Sequence, residues 1–214
     1  MVSTFVYLLI ILVFSIIGIL KFKYCDITFK LLTALLFYTF ISEVISTFLE
    51  YTSGNNSIPQ KIYTLFHIAI FTSIYYTIFD QPLIKKIVLF VGVIFFLYAL
   101  YYIIKFNKSE LPSYLIMLDA IILVFFSILY YFELVLNPNV ENILSSGNFW
   151  LNTSVILYFT GVFIFFASFN YLLLHNKNIL IQLGNIKNFF LDPLHYFLLG
   201  LSLCFHLNAK KKLI

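Results

Sequence analysis

The chain has 214 residues, of which 62% are hydrophobic, 21% aromatic and 10% charged, with a formal net charge of +4. A soluble domain carries about 25% charged residues, so this chain cannot clothe a water-facing surface, and a polytopic helical membrane protein is the direct reading. All 13 basic residues are lysines, clustered only at Lys210, Lys211 and Lys212, which excludes the basic footprint of a nucleic-acid binder.

The first expected span runs from Thr4 to Leu20, closed by Lys21, Lys23 and Asp26. No positive leader or small-residue cleavage site marks it as a signal peptide. The second runs from Phe29 to Leu49, followed by turn residues from Thr52 to Lys61. The third covers Ile62 to Phe79 and stops at Asp80-Gln81-Pro82; the fourth covers Ile84 to Ile104. The fifth follows Pro112 and reaches Leu136, and a polar break with a short interfacial turn at Val140–Leu144 precedes the sixth, Phe149 to Leu174. A partly apolar linker, His175 to Asn188, is expected on the membrane surface before the seventh span, Phe189 to His206. The fold class is therefore all-α: one transmembrane helical domain of seven spans, with six as the alternative if the seventh is peripheral. The apolar runs lack period-two alternation, which argues against a membrane barrel. Cys25 and Cys204 are too few and too scattered for a disulfide framework or a metal knuckle.

Orientation follows from the lysines. The face holding loops one, three and five and the C-terminus, side B, collects eight lysines; side A, with the N-terminus, collects Lys61, Lys105, Lys108, Lys177 and Lys187. The bias places the N-terminus outside and side B in the cytoplasm of a bacterial inner membrane. The terminal lysine run reads as a topology signal at the lipid headgroups.

The second span, FYTFISEVISTFLE, is the unusual one. Ser42, Glu43, Ser46, Thr47 and Glu50 recur at helical spacing and form one polar face. A carboxylate in a membrane helix faces a partner, a cavity or the bundle interior. At 1.5 Å per residue, Glu43 lies roughly 10 Å inside side A, and Asp119 of the fifth span about as deep. His67, Asn170 and His195 are expected in the same leaflet. Glu43, Glu50, His67, Asp119, Asn170 and His195 are thus the candidate cluster. It serves helix packing, or it holds a proton, a polar ligand or a divalent metal. Asp80, Glu133 and His206 read as side B interface residues. Thr160-Gly161 marks either close packing of the sixth span or a hinge.

No cofactor is required by this pattern. Zinc enters as a lesser alternative through a His67, His195 and Asp119 set, because a membrane hydrolase of the ceramidase and progestin-receptor-like type needs such ligands. The paired histidines of that superfamily are missing, as are HExxH, CxxC, a phosphate loop and a nucleophile elbow.

Three segments carry a resemblance. GNFWLNTSVILYFTG, Gly147 to Gly161, resembles an FW(I/L)N…(I/L)YF(S/T)G pattern; KIYTLFH, Lys61 to His67, resembles HIYTLxE; and Glu43 matches an acid in the second helix. Together they are similar to a family of small seven-helix membrane proteins of Bacteroidota-type bacteria. Lys61 and His67 depart from that family's His and Glu. The resemblance implies a sensing or interaction module, like the membrane half of a two-component sensor, acting with a separately encoded partner in the lipid bilayer. An oligomeric pore or membrane-disrupting effector and a metal-dependent lipid hydrolase are the alternatives.

Overall fold

The computed structural model describes residues 2–105, 112–136 and 143–211, and all regular structure there is helical. The helices are α1 (Val2–Leu20), α2 (Ile27–Ser53), α3 (Ser57–Ile78), α4 (Pro82–Lys105), α5 (Ser113–Leu136), α6 (Gly147–His175), α7 (Lys177–Ile186) and α8 (Asp192–Lys211). A π-helical turn, Lys187–Leu191, joins α7 to α8 without a break, so these helices form seven rods. Five rods are long and apolar enough to cross a membrane: α2, α4, α5, α6 and the α7–α8 rod. In α1 the apolar stretch is shorter, Phe5–Leu20. Helix α3 carries Lys61, Thr64 and His67 on an inward face and buries them, so it does not depend on lipid-like composition. The chain is a membrane-embedded helical bundle.

Six rods close a ring: α1 on α2, α2 on α3, α3 on α5, α5 on α6, α6 on α8 and α8 on α1. Helix α4 stands outside this ring and packs mainly on α3. Its buried residues Ile84, Val88, Gly92, Phe95, Ala99 and Tyr102 recur every three or four positions, so one stripe docks while the rest faces outward. The peripheral rod is therefore α4, not the last one.

Several boundaries differ from the expectation for physical reasons. The second loop shrinks to residues 54–56. Gly54 ends α2 in a left-handed conformation (φ 67°) with its N–H on the Glu50 carbonyl. Asn55 Oδ1 accepts from the Ser57 backbone N–H at 2.9 Å, starting α3. Pro59 is tolerated because the first turn needs no intrahelical donor. The expected linker at 175–188 is instead helix, broken only at Asn176, whose Oδ1 accepts from the Ile179 N–H at 3.2 Å as an N-cap. Helix α6 passes through Thr160-Gly161 unbroken. Of the expected turn at 140–144, residues 140–142 lie outside the described residues, as do Lys108 and Glu141; Ile143–Ser145 is a 3-10 turn.

Glu133 turns inward at the side B end of α5. It is buried, and its Oε1 accepts the N–H groups of Asp80 (3.2 Å) and Gln81 (2.8 Å), capping the start of α4 from α5. His206 is also buried; it stacks on Phe29 at 4.0 Å and accepts the Asp26 N–H at 3.2 Å. Tyr75 is fully buried.

Candidate functional site

The polar face of α2 does not point at lipid. Glu43, Ser46, Thr47 and Glu50 line a cavity of about 460 Å³. Tyr7 of α1, Asn56 and Gln60 beside the start of α3, Tyr158 and Phe165, Phe166 and Phe169 of α6, Lys187 and Asn188 of the π turn, and Asp192 and Tyr196 of α8 complete it. The Tyr7 hydroxyl donates to Glu43 Oε2 at 2.9 Å. At the outer end, Asn56 Nδ2 donates to Glu50 Oε2 at 3.1 Å.

The opposite wall depends on the π turn. Lys187 Nζ donates to both carboxylate oxygens of Asp192 at 3.0 Å each. Residues five apart on a regular α-helix point about 140° away from each other. Here the Asp192 backbone N–H bonds the Lys187 carbonyl, closing an i→i+5 turn that sets both side chains on one side. Three carboxylates, Glu43, Glu50 and Asp192, thus share this chamber with one lysine.

A smaller chamber of about 120 Å³ adjoins the first and shares Glu43, Gln60, Tyr158, Phe166 and Lys187 with it. His67 and Asp119 line this inner space and pair across α3 and α5, Nδ1 to Oδ2 at 2.9 Å, both side chains buried. The Asp119 Oδ1 and Gln60 Oε1 acceptors are buried without a hydrogen-bond partner in the protein.

Glu43, His67 and Asp119 of the expected cluster therefore border one space, and Glu50 borders the outer chamber. His195 does not join them. It is buried beside Ser154, Nδ1 to Oγ 2.7 Å, and its ring stacks on Tyr158 at 4.1 Å. The space beside it measures about 10 Å³. His67 and His195 each pack on Phe159, at 5.5 and 5.6 Å between centroids, and no described hydrogen bond joins them. His195 thus lies level with His67 but faces Ser154 of α6 instead of the chambers. Asn170 lies exposed outside both chambers and donates to Ser113 Oγ at 3.3 Å, tying α6 to α5.

Among the described residues, no group of three or more His, Cys, Asp or Glu is placed to hold a metal ion. The set His67, His195 and Asp119 is divided between two places. Sequence reasoning missed Lys187 and Asp192, the ion pair of the site. A lysine and an aspartate five apart in an otherwise apolar segment were the available signal, hidden by reading residue 187 as part of a loop. Nothing in the sequence singled out Tyr7.

The fold and site define a multi-pass membrane bundle with a two-part polar chamber in its interior. Comparison with protein-family models, curated proteins and solved structures returned no match.

Proposed function

We propose that this protein is a membrane-embedded sensing module that holds a small polar ligand in its two chambers and signals occupancy to a separately encoded partner. The observation that carries the reading is the chamber itself: polar or charged side chains from α1, α2, α3, α5 and the last rod line two adjoining cavities. Building such a space costs stability, since each desolvated charge needs compensation. Packing alone is served better by apolar contacts.

Hydrolysis at the Ser154–His195 pair is disfavoured by where that pair lies. Ser154 and His195 form a hydrogen-bonded pair, but Ser154 is fully buried and also lies 2.9 Å from the His195 carbonyl. The 10 Å³ beside the pair admits no substrate. The pore alternative places Glu43 or Asn170 on a central path of an oligomer; Glu43 faces the chambers inside one chain, and Asn170 lies outside both.

The reading places side A outside a bacterial inner membrane, with the C-terminus cytoplasmic. Its support is the lysine bias, which grows once Lys61 and Lys187 are set aside as buried or ion-paired groups rather than loop charges.

The test is a thermal-unfolding screen of the purified chain in phosphatidylcholine nanodiscs against small cations, anions and neutral polar compounds. A ligand at 100 times its Kd is expected to stabilise by about 2.7 kcal/mol, a shift of roughly 5–10 °C for a chain of this size. A flat response to every class would remove the reading.

A further inference from the structure

Resting on that reading, we propose the chemical class of the ligand: an organic primary ammonium, with its charged head at the junction of the two chambers and an apolar body in the outer one. Three observations carry this.

The first is charge. Glu43, Glu50 and Asp192 border the outer chamber, and its one lysine, Lys187, is held by both oxygens of Asp192. Among the described residues, Glu43 and Glu50 receive neutral donors, from Tyr7 and Asn56. The Lys187 ammonium shows how a primary ammonium is accepted at this site: by both oxygens of a carboxylate. A second cation would offset one of the two carboxylates that the lysine leaves over.

The second is the supply of acceptors. The Asp119 side chain is 4% exposed, and its Oδ1 lacks a partner while lining the inner chamber. Gln60 Oε1 is likewise unsatisfied in the same wall. With Glu43 these make three acceptors around one space, and an ammonium carries three N–H donors and no acceptor. An anion would add acceptors where acceptors already stand unpaired. A neutral alcohol would supply one donor.

The third is the apolar side. Phe165, Phe166 and Phe169 also line the outer chamber, with Phe165 and Phe166 edge to face at 5.0 Å. Aromatic faces attract an alkylammonium electrostatically and shield its carbon body from water.

The same ammonium can come from a free amine or from the ethanolamine headgroup of a membrane lipid. The experiment uses the full chain in phosphatidylcholine nanodiscs, titrated calorimetrically with phenethylamine, 2-phenylethanol and 3-phenylpropionate. Phenethylamine is expected to bind with one-to-one stoichiometry, with the alcohol and the acid weaker by about ten-fold or more. Glu43→Gln and Asp119→Asn are each expected to weaken the amine by about ten-fold or more. Glu43→Gln retains an acceptor for Tyr7, so it reports on binding even where Asp119→Asn fails to fold. Repeating the titration in phosphatidylethanolamine discs separates the sources: an unchanged affinity identifies a free amine, and a competitive loss identifies the headgroup. An alcohol or acid that binds as well as the amine, or variants that bind like the parent, would overturn the proposal. A screen responding only to anions removes this inference and leaves the sensing reading. A flat screen removes both.

Discussion

A single buried pair shows what the interior demands of its side chains. His67 and Asp119 touch across α3 and α5 with almost no exposure, so deleting either strands the other. His67→Leu is expected to destabilise the bundle by about 1–3 kcal/mol. Adding Asp119→Leu is expected to recover most of it, because two apolar groups strand nothing. A double-mutant cycle by chemical unfolding in bicelles measures this; equal and additive losses would show that the pair is not coupled. Tyr7→Phe tests a smaller bond, with an expected cost of about 1 kcal/mol in the same assay. Glu43 and Asp119 were legible in the sequence because an acid in a long apolar run has to be accommodated somewhere. The Asp192 pairing was not, since its lysine comes within reach only through a local change of helical pitch, and no side-chain spacing on an ideal helix predicts that. His195 was read correctly as buried and level with His67, but its facing toward Ser154 was not legible from spacing along one helix.

Helices were easier to read than their ends. Long apolar runs between lysines and turn residues located the rods, and Pro82 and Pro112 mark two of the starts. The α7 segment escaped because its sequence, KNILIQLGNI, is amphipathic and polar enough to pass for a surface linker. Helix contacts make their own prediction. A methyl group on Gly147 at the start of α6 would lie 2.7 Å from the Ser202 backbone carbonyl and 2.6 Å from the Phe29 ring. On Gly161 it would meet only the Leu191 side-chain tip, at 2.6 Å, which can turn aside. Gly147→Ala is therefore expected to cost about 1–3 kcal/mol, and Gly161→Ala under about 1 kcal/mol, as read from thermal unfolding. Equal costs would mean that α6 and α8 slide past each other more freely than their packing suggests.

For the whole molecule, the spatial order of rods departs from chain order at one point only. Helix α4 leaves the ring, and α5 returns to pack on α3; the short loops alone predicted neighbours in series. The proposed orientation is tested by single cysteines in a background with Cys25 and Cys204 replaced by serine. Thr52→Cys is expected to react with an impermeant maleimide on intact cells, and Lys23→Cys only after lysis; the reverse pattern would invert the topology. The π turn also bears on how this chain tolerates a change in length. It accommodates one residue more than a regular helix would need, and Phe189 and Phe190 within it lie at the surface. Deleting Phe190 puts Lys187 and Asp192 four positions apart, a spacing at which such pairs meet on an ordinary helix. The chain on either side keeps its facing. Deleting the buried Leu199 instead turns one side by about 100° against the other. Expression and melting temperature are expected to survive the first deletion and not the second, making this turn the place where a codon can be lost without dismantling the bundle.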